Sequence, residues 1–128
     1  MVDDEPDICE TFKVVLQENG YNVKAFIDPI VALEHLLNNP SIYELVISDY
    51  RMPNLNGYEL CTKVKELNRN INVILTSAYD IIEDNNNNKL NFELLRKPFT
   101  IQNLLDRVNA CLYNNATSHH YQRGLDEI

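Results

Sequence analysis

Two short apolar runs, Glu44-Leu-Val-Ile-Ser48 and Val73-Ile-Leu-Thr-Ser77, constrain the fold more than anything else in the chain. Each is brief and almost continuously apolar, the pattern of a strand covered on both faces. Helical periodicity fills the spaces around them. Ile8, Phe12, Val15 and Leu16 recur at helical spacing ahead of Gly20, a residue suited to a C′ stop. Tyr21–Phe26 reads as a further strand. Asp28-Pro29 opens the next helix, with Asp as N-cap and Pro in the first turn, and that helix runs to about Asn39, before Pro40. Tyr58, Cys61, Val64 and Leu67 make a third stripe. Thr100 caps a last helix carrying Ile101, Leu104, Leu105, Val108 and Leu112 on one face. Strands alternating with helices of this length give βαβ units, hence an α/β fold with a doubly wound parallel sheet. Ligands of such sheets bind beyond the carboxyl ends of the strands.

The chain has 128 residues, enough for a single domain. Its net charge of −8 and pI near 4.7 disfavour direct contact with nucleic acid, whose phosphates call for Lys and Arg. No apolar run approaches the ~18 residues of a membrane span, and no signal-peptide pattern is present, so a cytoplasmic protein without membrane contact is expected. Cys9, Cys61 and Cys111 are far apart and lack zinc-ligand spacing, which leaves them as reduced thiols in or near the core. His35, on a helix, and His119-His120 read as solvated residues.

The expected topology carries three fragments to one end of the sheet: Asp3-Asp4-Glu5, Asp49-x-x-Met52-Pro53 and Lys97-Pro98. Carboxylates about 4 Å apart repel by about 4 kcal/mol at an effective dielectric of 20. Asp3, Asp4 and Asp49 together therefore require a cation. Hard oxygen ligands in small number suit Mg²⁺, and Mn²⁺ also fits.

In this order and spacing, the fragments resemble the receiver domain of two-component response regulators, of the stand-alone chemotaxis-regulator kind, over nearly the whole chain. The resemblance implies a flavodoxin-like five-stranded sheet of order 2-1-3-4-5. It implies a receiver domain over 1–113 followed by a polar tail, 114–128. It makes Asp49 the phosphoacceptor nucleophile, Lys97 the ammonium opposite the metal, and Asp3, Asp4, Asp49 and the Arg51 carbonyl the metal-binding groups. In this family the peptide before Pro98 is cis. Ser77, followed by the small Ala78, matches the family's hydroxyl position, whereas strand alternation places Thr76 on the other face. Pro53 and Gly57 shape the loop after Asp49, Gly57 through a positive φ. The implied partners are a histidine kinase or phosphotransfer protein and an output protein reached in trans. Such a protein promotes only its own phosphorylation and dephosphorylation and is not a turnover enzyme.

The sequence departs from the family pattern at several points. Only Met1 and Val2 precede the acidic pair, fewer residues than an ordinary strand, so a truncated first strand is expected, explained by a late start, by residues upstream of Met1, or by a defective or swapped domain. The Asn-rich stretch 85–88 predicts a short or irregular fourth helix, a single turn around Ile81–Asp84. Leu94 stands where receivers carry a switch aromatic, with Phe92, Tyr79 or a reordered Asp80–Asn91 segment as substitutes. Arg51 and Tyr79 are expected to flank the site mouth and slow hydrolysis of the phosphoryl group. The rival readings are a pseudo-receiver scaffold, an aspartate-nucleophile phosphatase of the dehalogenase type, and a flavodoxin-like cofactor binder. The phosphatase would want an acid where Arg51 stands. The cofactor binder would want a phosphate-binding loop that is not present.

Overall fold

The computed structural model describes residues 1–78 and 92–113. Helix α1 spans Pro6–Glu18, α2 Pro29–Asn38, β1 Leu45–Asp49, α3 Gly57–Leu67, β2 Asn72–Ser77 and β3 Glu93–Arg96. A fourth helix, α4, covers 101–113. The anticipated fourth helix of 80–91, Tyr79 and the tail 114–128 lie outside the described residues.

The helix boundaries follow from local chemistry. Asp28 Oδ1 accepts the Ile30 amide at 2.8 Å and Pro29 occupies the first turn of α2. Asn56 and Glu59 close a capping box at the start of α3. Thr100 Oγ1 accepts the Asn103 amide at 2.9 Å at the start of α4. Helix α1 ends as a Schellman turn. Gly20, at φ 93°, donates to Gln17 O at 3.0 Å, and Tyr21 donates to Leu16 O at 3.1 Å.

Strands β1, β2 and β3 form a parallel sheet in that order, with Asp49 opposite Thr76 and Ser77 opposite Arg96. Val2 extends it through parallel bridges to Ser48 on one side and Phe26 on the other. Its amide donates to Ile47 O at 2.8 Å and its carbonyl accepts from Asp49 at 2.9 Å, while Asp3 donates to Phe26 O at 3.0 Å. The chain order across the sheet is thus Phe26, Val2, β1, β2, β3, the expected 2-1-3-4-5. At the expected first-strand position Val2 makes the β-bridges, and of the stretch read as a strand, Tyr21–Phe26, Phe26 alone makes one.

Period-two alternation sorts the side chains between two cores. Val46, Val73 and Leu75 face Ala32, Leu36, Leu60 and Val64 of α2 and α3. Ile47, Ile74 and Leu95 face Leu16, Leu104 and Val108 of α1 and α4. Cys9 and Cys61 are buried free thiols and Cys111 is half-buried. Two expectations need correction. Gly57 does not have a positive φ. Asn54 takes that conformation, at 75°, and Gly57 serves a close backbone approach instead. His35 is half-buried, not a freely solvated residue: its ring packs 5.2 Å from Phe26 and its Nε2 lies 2.6 Å from the Tyr43 hydroxyl.

Candidate functional site

Three strand ends converge on one acidic pocket. Val2 is held on both sides by ladder bonds, which fixes the residue after it, and Asp3 is 1 % exposed. Asp49 ends β1 and is also buried. Asp3, Asp4 and Asp49 each offer a carboxylate oxygen, and these oxygens all lie within 4.8 Å of one another. Lys97 enters from the end of β3, its Nζ 3.1 Å from Asp49 Oδ1 and 3.7 Å from Asp3 Oδ2. Its amide donates to Ser77 O at 2.8 Å, the Lys97–Pro98 peptide is cis, and Phe99 just beyond stacks on Phe12 of α1 at 5.3 Å. Backbone and ring contacts thus hold the lysine stem on both sides.

The pocket holds more negative charge than its lysine offsets. Burial pushes the Asp49 carboxyl above the ordinary aspartate value. Lys97 opposes this, while Asp3 and Asp4 add to it. Burial alone would lower Lys97, yet Asp49, by charge and hydrogen bond, and then Asp3 hold it above the ordinary lysine value. Both shifts have one meaning: the site favours added positive charge.

Asp3 reports the same need. Its Oδ1 accepts the Glu5 amide at 2.9 Å, but its Oδ2 is buried without a hydrogen-bond partner among the described residues. An orphaned carboxylate oxygen beside two further carboxylates is a fitting hard-ligand set for a divalent cation.

Ser77 is buried at the carboxyl end of β2. Arg51 lies in the exposed loop after β1, where Tyr50, Arg51, Met52, Pro53 and Asn56 line an open depression. Tyr79, its expected companion, falls outside the described residues. Leu94 packs into the core on the α2–α3 side, while Phe92 meets Tyr58 of α3 edge-on at 5.9 Å.

Two residues here stand otherwise than the sequence reading placed them. Gly57 lies directly against Asp49: a β-carbon on it would come within 2.2 Å of the Asp49 carbonyl oxygen. Thr76, assigned to the other face, has its hydroxyl 3.4 Å from Asp49 Oδ1. The reason is register. Thr76 is the direct parallel partner of Asp49, and paired residues in neighbouring strands project to the same side. Alternation within one strand does not reveal that.

Residues 1–109 match the family model of the response regulator receiver domain. The chain belongs to that family. The receiver is 29% identical over 115 residues to the response regulator ArlR of Staphylococcus saprophyticus, covering 88% of this chain and 50% of that protein. Among solved structures, it is similar to a response regulator receiver domain protein from Clostridium thermocellum, at 26% identity and a TM-score of 0.81, covering 88% of this chain and 91% of that one. It is also similar to the receiver domain of the Francisella response regulator 1452, at 32% identity and a TM-score of 0.77, covering 88% and 93%. The receiver spans about half the length of the curated relatives it matches. Receivers belong to two-component signalling, where they interact with histidine kinases or phosphotransfer proteins, and they typically bind a divalent metal at an acidic pocket such as this one. None of the described helices is long and apolar enough to cross a membrane.

Proposed function

We propose that this receiver is a phosphoacceptor whose modified residue is Asp49, charged by a histidine kinase or phosphotransfer protein in the presence of Mg²⁺ or Mn²⁺. One observation carries the reading: three carboxylate oxygens within 4.8 Å of one another, with the Lys97 ammonium 3.1 Å from Asp49. An oxygen of the Asp49 carboxylate attacks phosphorus in line. The Asp49 O–P bond forms as the donor's P–N bond breaks, the electron pair leaves with the imidazole nitrogen, and the product is an acyl phosphate. Asp3, Asp4 and Asp49, with the Arg51 carbonyl, are the groups that would hold the cation. When bound, it neutralises charge on the transferring group. Lys97 supplies the second positive charge, its ammonium already held beside the Asp49 carboxylate. Ser77, at the end of β2, is the residue that would donate a hydroxyl to a phosphoryl oxygen. The protein then acts through partners in trans and is not a turnover enzyme.

The test is incubation with Mg²⁺ and acetyl phosphate, followed by intact-mass measurement, alongside Asp49→Ala. The expected result is one added phosphoryl group on the wild type and none on the variant. In this assay the P–O bond of the donor breaks and acetate leaves. No adduct on either protein would favour a pseudo-receiver scaffold. Repeated turnover of phosphate esters would favour the phosphatase.

A further inference from the structure

The hydrogen bonds to Asp49 are unequally shared between its two carboxylate oxygens. Oδ1 lies 3.1 Å from Lys97 Nζ, accepts the Tyr50 amide at 3.1 Å and faces the Thr76 hydroxyl at 3.4 Å. Oδ2 takes no such bond from a described residue. Thr76 is 1 % exposed, and its hydroxyl is not among the buried polar atoms without a partner, so Asp49 Oδ1 accounts for its hydrogen bond. The Thr76 carbonyl also accepts the Tyr50 amide at 2.8 Å. Thr76 thus grips the Asp49–Tyr50 unit at two points, through its backbone and through its side chain.

We infer that Thr76 is a positioning residue for Asp49: its buried hydroxyl helps tie Oδ1 down and so turns Oδ2 toward the metal and the incoming phosphoryl group. This rests on the phosphoacceptor reading above and adds to it a residue outside the acidic cluster, the lysine and Ser77. A carboxylate free to rotate presents either oxygen. One tethered through Oδ1 presents the same oxygen every time, which removes an orientational search before in-line attack. The Lys97 contact cannot serve this purpose throughout the reaction, because that ammonium is also needed by the transferring group. The Thr76 hydroxyl is buried and the Tyr50 amide is also held by the Thr76 carbonyl, so both stay with Oδ1. Thr76 touches no phosphodonor, so its effect falls on the bond-forming step and not on donor binding.

The experiment compares Thr76→Val, which keeps the branched shape and removes the donor, with Thr76→Ser, which keeps the donor. Phosphorylation by acetyl phosphate is followed over a range of donor concentrations at saturating Mg²⁺. The expected result is a maximal rate about tenfold lower in Thr76→Val, the usual worth of a hydrogen bond to a charged group. The half-saturating donor concentration stays unchanged, and Thr76→Ser stays within about twofold of wild type. The gain in melting temperature on adding Mg²⁺ without donor is expected to shrink in Thr76→Val and to be kept in Thr76→Ser. Thr76→Ala is the substitute should Val disturb the strand. A Thr76→Val protein with the wild-type maximal rate, or a Thr76→Ser protein as slow as Thr76→Val, overturns the inference and leaves Thr76 a packing residue. A wild type that takes no phosphoryl group overturns the phosphoacceptor reading first and this one with it.

Discussion

Gly57 at the start of α3 packs against the Asp49 backbone so tightly that a β-carbon would sit 2.2 Å from the Asp49 carbonyl oxygen and 2.9 Å from Ser48 Oγ. The Gly57 amide donates to Tyr50 O at 2.8 Å, which closes the loop after β1 onto the helix. Neither neighbour can yield, because Asp49 and Ser48 are buried in the sheet. Gly57→Ala is therefore expected to cost about 1–3 kcal/mol, the range for overpacking a tight site. It is also expected to lower Asp49 phosphorylation by displacing the residue that carries it. Urea unfolding and the acetyl phosphate assay measure the two effects. A variant as stable as wild type would show that the loop has room to move.

The parallel sheet was legible because Leu45–Asp49 and Asn72–Ser77 are apolar runs bounded by turns, and such runs have few other uses, while the strand order came from the family resemblance. The acidic pocket was legible because strand ends converge wherever parallel strands pair. What stayed hidden depends on register and close approach, which a single strand does not encode. Thr76 reaches Asp49 because the two are paired residues. Gly57 is required by a neighbour eight positions earlier, not by its own φ. His35 looked solvated because helical periodicity does not show which aromatic groups a partly buried face will meet.

The three thiols differ enough in setting to be separated by reactivity. Cys61 is fully enclosed between α3 and the sheet, and burial pushes its thiol up to about 12. Burial also raises Cys9, which sits beneath the Met1 and Phe26 carbonyls. Cys111 on α4 is only half-buried, though burial and the Glu93 carboxylate raise it too. The thiolate is the reactive form, so exposure decides the order. Iodoacetamide at neutral pH is expected to label Cys111 first, with Cys9 and Cys61 modified at the rate of global opening. Peptide mapping over time checks this. Early modification of Cys61 would mean that α3 leaves the sheet without full unfolding.

Among the described residues Lys97 pairs with two carboxylates, Asp49 at 3.1 Å and Asp3 at 3.7 Å. Lys97→Met keeps the stem and removes the charge. The loss leaves two buried carboxylates facing each other without the ammonium. Because the lysine is about a fifth exposed, solvent tempers the penalty, and about 1–2 kcal/mol is expected. Addition of Mg²⁺ is expected to return a larger increment of stability to Lys97→Met than to wild type, since the cation then meets uncompensated charge. The phosphorylation rate is expected to fall even at saturating Mg²⁺, by more than tenfold, because the transferring group loses its second positive charge. Thermal melts with and without Mg²⁺, beside acetyl phosphate kinetics, measure these. Equal Mg²⁺ increments in the two proteins would place the cation away from the lysine's partners.

Asp49 carries the opposite linkage to an ordinary paired aspartate. Its folded pKa lies above the unfolded value, chiefly because of burial, with Asp3 and Asp4 adding to the effect against the pull of Lys97. A group raised in this way contributes stability below its unfolded pKa and loses that contribution as pH rises through its folded pKa. The metal-free protein is therefore expected to carry a penalty for ionised Asp49 at neutral pH that fades toward the acid end of the carboxylate range. Asp49→Asn mimics the protonated form and does not titrate. It is expected to melt a few degrees above wild type at neutral pH without metal, since about 1 kcal/mol moves a domain of this size by several degrees. That gap closes as pH falls below the range where Asp49 ionises. Mg²⁺ reverses the order at neutral pH, because it stabilises the ionised carboxylate cluster and the amide offers it no charge. Melting curves in chelator and in Mg²⁺ across the acid range measure all of this. An Asp49→Asn protein that is less stable than wild type in chelator at neutral pH would mean that Lys97 outweighs burial, and that the empty pocket has no need of added positive charge.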